Sequence, residues 1–145
     1  MPQAQIGVYG LGTMGSALAL NMAEKGFEVA VTNRETEWIA DFVSEAGALR
    51  TRLHPHESLE RFVEDIKPPR VILFMIPSGA PMDAVIATIS PLLDEGDTII
   101  DGGNADFHDT RRRSAALTEK GLHFVGMGVS GGEKGARHGP SMMVG

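Results

Sequence analysis

Gln5-Ile6-Gly7-Val8-Tyr9-Gly10-Leu11-Gly12-Thr13-Met14-Gly15 decides the fold. Gln5 to Tyr9 is a short, mostly apolar run that ends at a glycine, the pattern of a buried strand. Thr13 to Lys25 places apolar and small residues at helical spacing, and Gly26 closes the run. Between them, residues 10–15 spell G-x-G-x-x-G. That motif is weak in isolation and strong between a strand and a helix. There Gly10 makes the turn, Gly12 lets a pyrophosphate approach the backbone, and Gly15 lets helix and strand pack closely. The helix start adds free N–H donors and a partial positive charge. The competing reading is a tight turn that holds no ligand.

Outward from this stretch, strands and helices alternate. Strands are predicted at Phe27–Thr32, Val71–Ile76, Thr98–Ile100 and Leu122–Val125. Helices are predicted at Glu35–Ala46, Glu57–Asp65, Pro81–Leu93 and Asp106–Lys120, with residues 48–56 irregular. The strands are apolar on both faces, which predicts a Rossmann-like doubly wound α/β domain, a mostly parallel sheet covered by helices on both sides. There is no internal repeat or linker, so residues 1–145 read as one dinucleotide-binding domain. After Gly126 glycine content climbs and periodicity is lost, so residues 126–145 read as an elaborate loop or as the edge of something missing.

Composition narrows the partners. The net charge of −6 argues against general affinity for nucleic acid or an anionic membrane surface. The chain has no cysteine, which removes disulfides, thiolate metal sites and thiol catalysis. No basic-then-apolar leader and no run of about 18 apolar residues is present. A cytoplasmic location is the expectation.

The end of the second strand sets the choice of dinucleotide. An acidic residue about 20 positions beyond the glycines would bond a ribose 2′-hydroxyl and select NAD. This chain has Asn33 and Arg34. Asn33 is neutral, and Arg34 pairs with a 2′-phosphate and stacks on adenine. An ion pair at 4 Å is worth about 4 kcal/mol at an effective dielectric of 20, enough to decide the preference. Glu35 opposes this if it points inward and is screened by water if it points outward. The balance favours NADP, with NAD as the alternative.

Further residues carry a resemblance to a known family. Gly126 to Ser141, Gly-Met-Gly-Val-Ser-Gly-Gly-Glu-Lys-Gly-Ala-Arg-His-Gly-Pro-Ser, follows Asp101-Gly102-Gly103-Asn104 and the Asn33-Arg34 pair in order. Together with Met14 ahead of Gly15, this run closely resembles the signature of 6-phosphogluconate dehydrogenase from Ile6 to Gly145.

The resemblance implies NADP-dependent oxidative decarboxylation of 6-phospho-D-gluconate to D-ribulose 5-phosphate and carbon dioxide, in the pentose phosphate pathway. It implies that Gly10, Leu11, Gly12, Thr13, Met14 and Gly15 hold the dinucleotide, with Asn33, Arg34 and Glu35 around the 2′-phosphate. Ile76, Pro77 and Ser78 then lie beside the nicotinamide half. Asn104 touches both cofactor and substrate, and Ser130, Gly131 and Gly132 hold the sugar acid. Strand-end placement supports Asn104 and Ser130 independently, because ligands bind outside the carboxyl ends of parallel strands; a turn-capping asparagine is the plain alternative for Asn104. The family's proton-transfer lysine and glutamate are expected beyond residue 145, on a helical second domain, so no catalytic residue and no metal ligand is assigned here. The chain by itself is expected to be inactive, and the complete protein to be a homodimer.

Two positions depart from the family. Glu35 stands where Thr or Ser is common, and Pro77 replaces a lysine that some members carry; both lean toward NAD. Rival readings are a β-hydroxyacid dehydrogenase of the 3-hydroxyisobutyrate type and a non-catalytic dinucleotide sensor. Plainer roles are expected for the other polar residues: His54 and His56 in a surface loop, Arg111, Arg112 and Arg113 on a solvated helix face, Lys134 and His138 in a loop. The Met14 and Met22 side chains read as core filler.

Overall fold

The structure, a computed structural model, describes residues 2–77, 79–103, 106–130, 132–139 and 141–144. Strands are β1 Ile6–Tyr9, β2 Val29–Thr32, β3 Leu53–Pro55, β4 Val71–Phe74, β5 Thr98–Asp101, β6 His123–Ser130 and β7 Ser141–Val144. Helices are α1 Thr13–Glu24, α2 Glu37–Glu45, α3 Leu59–Glu64, α4 Ala80–Ile89, α5 Phe107–Thr118 and α6 Gly132–His138. The sheet order is β3-β2-β1-β4-β5-β6-β7. The first six strands run parallel and β7 is antiparallel to β6. Strand order therefore reverses between β1 and β4, and the switch opens a crevice beyond their carboxyl ends.

Side-chain alternation along each strand feeds two cores. Val29 and Val31 of β2 join Val8, Ala19, Ile39 and Phe42 under α1 and α2. Ala30, Ile72 and Phe74 face the opposite side, with Phe62, Met82, Ile89 and Leu117 from α3, α4 and α5. Strands buried on both faces are what made the central runs continuously apolar.

Three expectations need correction. Residues 48–56 are not irregular: a 3-10 segment over Gly47–Arg52 leads into β3, which pairs with β2 from Val29↔Leu53 to Val31↔Pro55. A three-residue edge strand holding histidine and proline has too few β-favouring residues to show in the pattern. The tail is not one loop. β6 runs on to Ser130, α6 follows, and β7 returns along β6 from Met127↔Val144 to Ser130↔Ser141. The glycines that hide this periodicity leave room for neighbours; a Cβ on Gly126 would lie 2.9 Å from Thr110. The third correction concerns Arg113, which is 3% exposed rather than solvated. α2 also starts later than predicted, at Glu37, because residues 33–35 are tied to one another ahead of it.

Candidate functional site

The glycine loop is built as its spacing requires. Gly10 sits at φ +108, and a Cβ there would lie 2.4 Å from the Met75 carbonyl oxygen, so the turn excludes any other residue. A Cβ on Gly15 would lie 1.8 Å from the Gly10 carbonyl oxygen, which is the close approach of α1 to β1. Around Gly12 nothing lies within 4 Å of a Cβ, so its face is open. Gly12 is also the N-cap of α1, with no side chain bonded to the cap and no acidic residue in the first turn. At two other helices a side chain takes that role: Ser58 accepts from the Arg61 N–H at α3, and Asp106 from the His108 N–H at α5; α2 and α4, like α1, have none. The first N–H groups of α1 are thus left for an anion. These residues fit a dinucleotide pyrophosphate.

Asn33 locks the loop to the end of β2. The Leu11 N–H donates to Asn33 Oδ1 at 2.7 Å, a buried bond. Asn33 Nδ2 donates to the Glu35 backbone carbonyl and to Glu35 Oε2, each at 3.1 Å. Arg34, with a side chain 81% exposed, donates to Glu35 Oε1 from Nε at 3.0 Å and from Nη2 at 2.8 Å. Those bonds, first that of Arg34, then those of its own backbone and of Asn33, hold the Glu35 carboxyl below the usual range. Burial pushes the Tyr9 hydroxyl up.

A cavity of about 600 Å³ opens at the switch point and brings together Gly10, Gly12, Asn33, Arg34, Glu35, Ile76 and Pro77. Its other walls come from Tyr9, Trp38, Leu59, Met75 and the α4 residues Pro81, Ala84, Val85 and Thr88. Sequence reasoning missed these. The signal was present in α4, whose small residues sit one and two turns beyond the β4 loop. Leu11 and Thr13 line an adjoining groove with Trp38, Asp41 and Arg137, not this cavity. Met14 packs with Ala17, Leu73 and Ala136, as core filler does. Ser78, Asn104 and Gly131 lie outside the described residues. Ser130 is the last residue of β6, and Gly132 opens α6.

The loops after β4 and β5 are stacked on each other. A Cβ on Gly102 would lie 2.3 Å from Met75 Sδ, and one on Gly103 2.3 Å from the Ile76 carbonyl oxygen. Asp101 Oδ1 accepts from the Gly103 N–H at 2.9 Å and shapes the turn. Arg113 Nη1 lies 3.6 Å from Asp101 Oδ2, beneath the same turn.

His54 and His56 sit on and just beyond the β3 edge, where both approach Asp65 and His54 also meets Glu28 at 2.8 Å. Among the described residues, no group of three such side chains is arranged to hold a metal ion, and no helix is long and apolar enough to cross a membrane.

Known proteins place this geometry. Residues 5–145 match the family model described as the NAD binding domain of 6-phosphogluconate dehydrogenase. The decarboxylating 6-phosphogluconate dehydrogenase 1 of Spinacia oleracea is 51% identical over 99% of this chain, and that of Chlamydia muridarum 49% over 100%. The chain spans about 30% of the length of each of those relatives. The Plasmodium falciparum 6-phosphogluconate dehydrogenase, solved in apo form, with NADP+ and with 6-phosphogluconate, superposes with a TM-score of 0.91 at 36% identity, covering 97% of this chain and 30% of its own. A 3-hydroxyisobutyrate dehydrogenase of Mycobacterium tuberculosis, 24% identical with a TM-score of 0.82 over 100% of this chain and 47% of its own, shares the fold. The chain belongs to the family of the NAD-binding domain of 6-phosphogluconate dehydrogenase.

Proposed function

We propose that this chain binds NADP, with NAD as the weaker alternative, as the dinucleotide half of an oxidative decarboxylation of 6-phospho-D-gluconate to D-ribulose 5-phosphate and carbon dioxide. The observation that carries the reading is the cavity at the switch point, where the open face of Gly12, the uncapped start of α1 and the Asn33–Arg34 donors line one wall. The family match and the NADP+ complex of the Plasmodium relative support it.

A bound nicotinamide would supply the hydride acceptor for oxidation of the substrate's secondary alcohol. The chain's own part is to bind and orient. α1's first N–H groups hold the pyrophosphate, and Gly12 admits it. Ile76 and Pro77, braced by Gly102 and Gly103, wall the nicotinamide end. Asn104 and the segment Ser130, Gly131 and Gly132 meet the sugar acid. Proton transfer falls to a lysine and a glutamate in the part of the relatives' length that these residues do not span. The same proposal places the complete protein in the cytoplasm as a homodimer.

Trp38 is the only tryptophan and lines the cavity, so it reports on occupancy. Titrating the purified 145-residue chain with NADP is expected to quench its emission saturably. No quenching and no calorimetric binding would overturn the reading. Formation of NADPH from 6-phosphogluconate by this chain alone would overturn the division of labour.

A further inference from the structure

We infer that Glu35 is a tethered competitor for the 2′-phosphate subsite and sets how weakly this chain separates NADP from NAD. The inference rests on the dinucleotide reading of the cavity and names the residue that tunes it. Arg34 presents a two-pronged fork, Nε at 3.0 Å and Nη2 at 2.8 Å, and both prongs are taken by Glu35 Oε1. The other oxygen, Oε2, accepts from Asn33 Nδ2 at 3.1 Å. All three residues line the cavity. The Nε–Nη2 edge of a guanidinium takes a carboxylate oxygen or a phosphate oxygen alike, so the carboxylate stands where a 2′-phosphate would be gripped.

The two dinucleotides meet this arrangement differently. A 2′-phosphate must displace the carboxylate from Arg34 and then tolerate a like charge from a residue adjacent in sequence. The displacement gives up the contacts of Glu35 with Arg34 and Asn33, and the like charge left beside the phosphate adds to that cost, both terms being screened alike by solvent and salt. A ribose 2′-hydroxyl needs no displacement. It finds a carboxylate acceptor at the end of the second strand, the feature that recognises NAD in this fold. Glu35 therefore weakens NADP and assists NAD, and the two affinities converge.

The pair 2′,5′-ADP and 5′-AMP, with NADP and NAD beside them, separates the phosphate from the rest of the dinucleotide. Calorimetric Kd values are measured for the wild-type chain, for Glu35→Gln, which keeps the shape and removes the charge, and for Glu35→Thr. Both substitutions are expected to tighten 2′,5′-ADP and NADP on the order of tenfold or more, following the removed like charge. NAD and 5′-AMP are expected to hold or weaken. Raising salt from 50 to 500 mM is expected to narrow the NADP gain, because the interaction is screened. If both variants leave the NADP-to-NAD ratio unchanged while all four ligands still bind, the competitor role is overturned and the cavity reading stands. If none of the ligands binds the wild type, both fall.

Discussion

Arg113 on α5 donates from Nε to Asp83 Oδ1 at 2.8 Å and from Nη2 to the Gly79 carbonyl at 3.1 Å. One cation, 3% exposed, thereby fastens α5 to the first turn of α4. It does so beside the turn after β5, with Nη1 3.6 Å from Asp101 Oδ2. Arg113→Met is expected to cost about 3 kcal/mol, since it leaves the fully buried Asp101 carboxylate without its cation. Arg113→Lys keeps the charge and loses the fork, and falls between the two. Urea unfolding midpoints check both.

The same pair makes an acid-sensitive contribution. The hydrogen bond from Arg113 chiefly, with Arg112 adding, holds the Asp83 carboxyl below its usual range. A carboxyl whose folded pKa is depressed contributes its stability in full above its unfolded value, about 3.9 for aspartate, and loses it as pH falls through the lower folded value. The stability gap between wild type and Arg113→Met is thus expected to shrink below about pH 4, as the Asp83 share of it is lost. Denaturant midpoints across that window check it; a gap that widens on acidification contradicts it.

Gly12 and Gly15 lie three residues apart and are expected to fail in opposite ways. Gly15→Ala forces a methyl into the Gly10 carbonyl, an overpacking that costs about 2–3 kcal/mol and weakens binding through lost shape. Gly12→Ala meets no protein atom. It is expected to change stability by about 1 kcal/mol or less, as an N-cap exchange does, while lowering dinucleotide affinity at least tenfold. Thermal melts paired with calorimetric Kd values separate the two cases.

Asn33→Ala removes the acceptor of the buried Leu11 N–H. An unsatisfied buried donor costs about 1–3 kcal/mol. Because that bond sets the loop against the end of β2, affinity for NADP and NAD is expected to fall together. Equal affinities with a lowered midpoint would show that the loop holds its shape without it.

Arg34→Ala, by contrast, touches a side chain 81% exposed and is expected to leave the melting temperature unchanged. NADP is expected to weaken far more than NAD. Equal losses for the two would place the phosphate contact elsewhere. Paired titrations on one protein preparation suffice.

The parts of this fold that the sequence revealed are those where burial alone decides. Val71 to Phe74 is apolar because helices cover both its faces, and it reads as a strand from any direction. Gly10 and Gly15 were legible because their steric demands are local. β3 was not legible, since its strand character comes from pairing with β2 rather than from Leu53, His54 and Pro55 themselves. α6 and β7 were hidden for a similar reason: Gly132, Gly135 and Gly139 erase periodicity, and the helix is held by α1. Arg113 stood in a row of three arginines whose charge suggested solvent; only the placement of Asp83 and Asp101 on separate elements buries it. Glu35 could be recognised as a complication from its charge, but its orientation depends on the geometry of two neighbours.

The contact between Asn21 Nδ2 and the Ala136 carbonyl, 3.1 Å across a separation of 115 residues, bears on the order of folding. β1 sits mid-sheet between β2 and β4, so the first 74 residues contain four mutually paired strands, whereas α6 reaches α1 only across that separation of 115 residues. Long loop closures are entropically late, and the docking of α6 on α1, sealed by the Arg137–Glu24 pair, is among the longest in the chain. On that ground α6 is expected to dock late and to come away early. Its amides are expected to exchange with solvent through partial openings, while those of β1 and β4 wait for global unfolding.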